Sequence, residues 1–324
     1  MHVYCWDLDR TYLDTDIHSM RGMVRAALER PKDKRNVPGA PALLRSLQAH
    51  DPSSIATVVS GSPTQMRAAL AEKLRLDGVR VDRLTLKDNL RNIRRGRLRA
   101  VRGQLGYKLP HLLAQRLTRA PTDIETLFGD DAEVDALIYT VYAEVLAGRT
   151  TDDELAAVLT AGGAYEDQIE HALRSARHLP RAEAVQDIFI HVDRALPLAA
   201  FRDLGRHVNV VFSWLQAALV LLERGRLAHA GVDAVAAECV AQDRLHPAEV
   251  RALIQDAVRR ALVRREVAEE ALRASPTLAP WADIISDALA QLDATEPAAP
   301  GARDWLGFLR SATPQALAGR GARR

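Results

Sequence analysis

"HVYCWDLDRTYLDTD", His2 to Asp16, decides how the rest of the chain is read. The apolar, β-favouring run HVYCW leads straight into Asp7 and Asp9, with Asp14 and Asp16 close behind. A short apolar run bounded by polar residues predicts a buried strand. Such a strand delivers the residues that follow it to one point, and residues two apart in extended backbone project to the same side. Asp7 and Asp9 are therefore expected to stand together at a strand end.

Working outward, three more runs have this character: Ile55 to Val59, Val81 to Leu86, and Ile124 to Phe128. Helical spacing of apolar residues lies between them, over Pro41 to Ala49, Gln65 to Leu74 and Leu109 to Leu117. Alternating strands and helices predict an α/β fold, a Rossmann-like parallel sheet covered by helices on both faces. A fifth strand is expected at "DIFIHVD", Asp187 to Asp193, after a helical insertion that opens at "TTDDELAAVL". Thr151 and Glu154 have the spacing of a capping box, which starts a helix. Farther on, "FSWLQAALVLLERG" puts Leu215, Leu219 and Leu222 on one helix face and stops at Gly225. The expected division is a core over 1–228, with the insertion at 149–182, and a helical carboxyl-terminal region over 229–324 ending in a loose tail. Trp281 and Trp305 are expected to be core or docking residues.

Composition narrows the function classes. A net charge of +2 over 324 residues does not describe a chain built throughout to bind nucleic acid. Cys5 and Cys239 are far apart and lack metal-ligand spacing, so neither a disulfide framework nor a zinc site is expected. No apolar stretch approaches a membrane span, and a reducing, cytoplasmic setting is the expectation. Lysine occurs only at Lys32, Lys34, Lys73, Lys87 and Lys108, which singles each of them out.

Three predicted strands end in chemically useful residues: Asp7 after the first, Ser60 and Gly61 after the second, Asp130 and Asp131 after the fourth. In an open parallel sheet, ligands bind beyond the carboxyl ends of the strands. Carboxylates about 4 Å apart repel by on the order of 4 kcal/mol at an effective dielectric of 20. Gathering Asp7, Asp9, Asp130 and Asp131 there calls for a cation, and oxygen donors without histidine or cysteine point to magnesium.

"DLDRT" at Asp7 to Thr11, "VVSGSP" at Val58 to Pro63, "GYKLP" around Lys108 and "LFGDDAEVD" at Leu127 to Asp135 resemble, in order and approximate separation, the four motifs of the haloacid dehalogenase-like superfamily. The likeness is nearest to its phosphatidate phosphatases. It covers roughly Val3 to Gly148, reaching "IFIHVD" and "WLQAALVLLE" more loosely. Arg10 departs from the pattern, which generally has a small or acidic residue there.

The resemblance implies a magnesium-dependent phosphatase with Asp7 as nucleophile and Asp9 as general acid and base. Ser60, with Gly61, and Lys108 would bind the phosphoryl group. The acids around the magnesium would be drawn from Asp7, Asp9, Asp130, Asp131 and Asp135, with either Asp131 or Asp135 assisting Asp130. Neither gap between the early motifs has room for a large cap, which suits a bulky phosphorylated substrate such as a lipid phosphate. The insertion or the carboxyl-terminal helices are left as possible lids. Alternatives are a nucleic-acid end phosphatase or phosphotransferase, and an interaction module built on such a domain.

Other polar features have a bland reading beside a functional one. Asp14 and Asp16 read as loop acids. The arginine-rich run Arg91 to Arg102 reads as a solvated face, or as a site for an anionic polymer or lipid headgroup. His191 reads as a structural histidine, or with Asp193 as a border of the cleft.

Overall fold

The computed structural model of the chain describes residues 1–15, 29–88, 103–132, 134–192, 196–243, 245–292 and 299–312. Asp16, the arginine run Arg91 to Arg102, and Asp193 lie outside the described residues.

The first strand, β1 (His2–Trp6), is buried along its whole length, as a strand central in a parallel sheet must be. After α1 (Ala40–His50), β2 (Ile55–Pro63) pairs on one side of it. Next come α2 (Arg67–Leu76), β3 (Arg83–Lys87), α3 (Leu105–Arg116) and β4 (Ile124–Asp130), and β4 pairs on the other side of β1. α4 (Asp135–Leu146) leads into the insertion, α5 (Asp152–Ala161) and α6 (Glu166–His178), before β5 (Val185–His191). Thr151 caps α5 as expected, its hydroxyl accepting from the Glu154 amide while the Glu154 side chain accepts from the Thr151 amide.

The six strands run in the order β3-β2-β1-β4-β5-β6, all parallel. The chain moves outward from β1 on one side, then crosses to β4 and moves outward on the other. Neighbouring connections thus diverge beside β1, and in an open α/β sheet it is at the carboxyl ends of the strands flanking such a point, here β1 and β4, that ligands bind. Several strand bounds differ from the sequence expectation: β2 extends to Pro63, β3 begins at Arg83 rather than Val81, β5 runs Val185–His191 rather than Asp187 to Asp193, and the short β6 (Asn209–Val211) was not foreseen.

Alternation along the strands sends side chains to two apolar layers. Tyr4, Trp6, Phe128 and Phe189 face α1, α2 and α7 (Trp214–Glu223). Trp6, Phe128 and Phe189 form a stacked row across three neighbouring strands, with ring centroids 4.1 and 5.4 Å apart. That layer continues into α8 (His229–Asp243), α9 (Pro247–Arg259), α10 (Arg265–Ala274) and α11 (Ala282–Ala290). Cys5, Leu127, Ile188 and Ile190 face the opposite layer of α3, α4, the insertion helices and α12 (Trp305–Ala312). Trp305 is buried there and donates to the Leu204 carbonyl. Trp281 packs half-buried against the first layer. Cys5 and Cys239 are buried free thiols. No helix among the described residues is long and apolar enough to cross a membrane.

The insertion packs on α3. A Cβ added at Gly106 would meet Ala164 at 2.8 Å, and one at Gly162 would meet Leu105 at 2.3 Å. These contacts seat the start of α3, two residues before Lys108.

Candidate active site

The Asp7 amide extends the β1–β4 pairing by donating to the Phe128 carbonyl at 2.9 Å, which fixes the backbone at the strand end. The Asp7 side chain is buried. From α3, Lys108 reaches in and stands between two acids, with Nζ 2.9 Å from Asp7 Oδ1 and 2.6 Å from Asp135 Oδ1, all three side chains buried. Asp135 is the first residue of α4, where a carboxylate also meets the positive end of the helix. Asp130 ends β4; it accepts from the Ala132 amide at 2.6 Å and from the Thr11 hydroxyl at 3.3 Å. One oxygen from each of Asp7, Asp130 and Asp135 lies within 4.8 Å of the others.

Gly129 makes this cluster possible. A Cβ there would lie 2.7 Å from Asp135 Oδ2 and 2.8 Å from Tyr139 Cε2, pushing Asp135 off Lys108. Tyr139 donates to the Phe128 carbonyl at 3.2 Å, and its phenol is held well above the usual range by burial, with Asp135 adding to the effect.

Asp9 stands apart, half-buried. Its Oδ1 accepts from Thr15 at 2.8 Å, and its Oδ2 accepts from Ser62 at 2.7 Å and Ser60 at 3.3 Å. The Ser60 hydroxyl in turn accepts from the Ser62 amide at 2.9 Å. Thr15 reaches Asp9 because the chain doubles back just after it. Arg10 takes a φ of +61°, a left-handed conformation uncommon for a residue with a Cβ. The Tyr12 and Leu13 amides both donate to the Leu8 carbonyl, and the Arg10 amide donates to Leu13. Trp214 anchors the same turn by donating to the Thr11 carbonyl at 3.1 Å.

The acids expected to share one site therefore separate. Asp7, Asp130 and Asp135 gather around Lys108, and Asp9 with Ser60 forms a neighbouring group. Asp131 is placed elsewhere: its Oδ2 accepts from the Leu196 amide at 3.1 Å and its amide donates to the His191 carbonyl. Gly61 lies against Gln104 at the start of α3, where a Cβ would come within 2.3 Å of the Gln104 amide group. Asp14 is exposed. His191 stacks on Trp214, centroids 5.4 Å apart, and burial pushes its imidazole down to about 4, with Asp131 opposing the shift.

Three polar side chains were not singled out from sequence: Ser62, Thr15 and Thr11. Ser62 follows Ser60 by two, the spacing that pairs Asp7 with Asp9. Lys34 is buried, and burial lowers its ammonium pKa, while the charges of Glu29 and Asp9 act in the opposite direction. Lysine scarcity was the available signal: Lys34, Lys73, Lys87 and Lys108 are all buried.

Comparison of the chain with protein-family models, characterised proteins and solved structures gives no match.

Proposed function

We propose that this chain is a magnesium-dependent phosphatase that hydrolyses a phosphomonoester through a phosphoryl group carried on Asp7. The observation that carries the reading is the buried cluster in which Lys108 stands between Asp7 and Asp135 with Asp130 alongside. The likeness of the four sequence motifs to the haloacid dehalogenase-like superfamily points the same way.

The donor set suits a hard divalent cation. Two oxygens on one such ion stand no farther apart than twice the metal–oxygen distance, about 4.2 Å for magnesium and about 5 Å for calcium. Around an octahedral magnesium only one pair of the three can stand opposite at about 4.2 Å while the others stand about 3.0 Å apart, so a trio within 4.8 Å closes by up to about 1.8 Å to hold the ion. Asp7, Asp130 and Asp135 would hold the ion, and its chemistry is to neutralise charge on the phosphoryl oxygens.

The chain's own residues do the rest. An Asp7 oxygen attacks phosphorus; the bond to the leaving oxygen breaks, its electron pair stays on that oxygen, and Asp9 supplies the proton. Water then attacks phosphorus and gives its proton to Asp9. The bond to Asp7 breaks, which returns the carboxylate and releases inorganic phosphate. Lys108 holds Asp7 in place and offsets negative charge on the nucleophile and the phosphoryl group. Ser60 donates to a phosphoryl oxygen.

The preferred substrate class is a bulky phosphomonoester, with a lipid phosphate such as phosphatidate first, as the motif likeness suggests. The buried free thiols suit a reducing, cytoplasmic setting. The test is hydrolysis of an aryl phosphate with magnesium and with chelator, followed by a panel of phosphatidate, nucleotides, DNA 3′ ends and phosphopeptides. Asp7→Asn keeps the shape of the side chain and is expected to abolish turnover. Wild-type rates in that variant would overturn the proposal.

A further inference from the structure

Asp9 is the most solvent-facing member of the site, yet its carboxylate is not left to rotate. Both of its oxygens accept from hydroxyls, two of them at short distance: Ser62 at 2.7 Å and Thr15 at 2.8 Å. Both donors are 7 % exposed, whereas Asp9 itself is half-buried. They approach from different segments. Ser62 comes from β2, on the same side of the strand as Ser60. Thr15 is brought round by the turn at Arg10, whose left-handed backbone is uncommon for any side chain but glycine. Two independent segments thus converge on one carboxylate and leave it a single orientation.

We propose that Ser62 and Thr15 are positioning residues for proton transfer, fixing Asp9 in the orientation in which it meets the leaving oxygen and later the attacking water. Ser60 has a different part. Its contact to Asp9 is the longest of the three at 3.3 Å, and its oxygen is already held by the Ser62 amide at 2.9 Å. Its hydroxyl hydrogen can therefore turn to a phosphoryl oxygen while the clamp on Asp9 persists through the two shorter bonds. The inference rests on the phosphatase reading above. It adds that the acid-base group is set by two hydroxyls outside the acid cluster.

A positioning role and a merely structural one differ in leaving-group dependence. A leaving group that departs readily as its anion, such as dinitrophenolate, needs no proton, whereas phenolate or an alkoxide does. The measurement is kcat/KM, which reports the transfer to Asp7, for 2,4-dinitrophenyl phosphate and phenyl phosphate with magnesium present. Ser62→Ala and Thr15→Val are each expected to lower the phenyl phosphate value about 10-fold or more, since misplacement by a fraction of an ångström is enough. The dinitrophenyl phosphate value is expected to stay unchanged. Ser62→Thr, which restores a hydroxyl, is expected to recover the phenyl phosphate rate. Urea melts verify that each variant is folded, and Thr15→Val carries the test should Ser62→Ala fail to fold. Equal losses on both substrates, or no loss on either, would overturn the clamp while leaving the phosphatase reading intact. A wild-type protein inert toward both substrates would overturn the two together.

Discussion

Replacing Lys108 with methionine removes the ammonium from the acid cluster while keeping most of the side-chain volume. In the native site the ammonium is 2.9 Å from Asp7 and 2.6 Å from Asp135. At an effective dielectric of 20 these two attractions are worth about 12 kcal/mol together. Three carboxylates within 4.8 Å of one another repel by at least about 3.5 kcal/mol per pair on the same scale, about 10 in all. Lys108 thus roughly cancels the repulsion. Without it the repulsion approaches the whole stability of a typical domain, so the site must relax, take up protons or bind a cation. Breaking a buried ion pair by deleting one partner typically costs about 3–5 kcal/mol after such relaxation. That loss is expected in urea melts of Lys108→Met with chelator at pH 8. Magnesium should then stabilise the variant more than the wild type, because the trio it meets carries no compensating ammonium; saturation at about 100 times the dissociation constant adds about 2.7 kcal/mol. A variant as stable as wild type in chelator and indifferent to magnesium would refute the view of these acids as a charged, cation-binding cluster.

Two further outcomes test the scaffold apart from the chemistry. Glu125, at the other end of β4, is buried and accepts from Arg116 at 3.1 Å, Arg119 at 2.9 Å and the Tyr142 hydroxyl at 3.0 Å. Glu125→Ala is expected to cost about 3–5 kcal/mol in a urea melt by leaving the buried Arg116 and the half-buried Arg119 without it. It should not change kcat per folded molecule, because residues 125 and 130 of an extended strand are about 16 Å apart. His2 is buried, and burial lowers its imidazole to about 4, with the charges of Arg226 and the α-amino group adding and Asp51 opposing. The unfolded chain titrates near 6.5, so between these values only the unfolded state holds the proton. Stability present above pH 6.5 is therefore lost as pH falls toward 4, by at most about 3 kcal/mol, and His2→Gln should flatten that slope in melts at pH 7 and 4.5.

Much of the fold was legible because β1 is an apolar run buried along its whole length, as a doubly covered strand must be, because three more short β-favouring runs follow it, and because helical spacing fills the gaps between strands. β6 was not legible. Asn209–Val211 is too short to show a period, and its place in the sheet is set by pairing with β5 rather than by its own residues. In the site, Asp7, Asp130 and Lys108 could be named from strand ends and motif order. The choice between Asp131 and Asp135 could not, because it turns on which way a loop acid points. Asp131 is drawn off by the Leu196 amide, far along the chain, whereas Asp135 begins a helix aimed at Lys108. Ser62 was within reach of the i, i+2 rule already applied to Asp7 and Asp9. Thr15 was not, because its return to Asp9 depends on the unusual backbone at Arg10.

The separation of the acids into two groups has a chemical logic under the proposed reaction. A nucleophile must be held against phosphorus in one position and kept from water, and Asp7 is buried, its backbone tied to β4 and its side chain to Lys108. A group that exchanges protons with a leaving oxygen and then with water must instead be reachable by both. Asp9 is half-buried and sits on a turn rather than in the sheet, which gives it that access. Access alone would cost it definition, since a solvent-facing carboxylate samples several rotamers. The Ser62 and Thr15 hydroxyls restore the definition without burying the group. The sheet end thus supplies rigidity where charge is concentrated, and the turn at Arg10 supplies exposure where protons must pass.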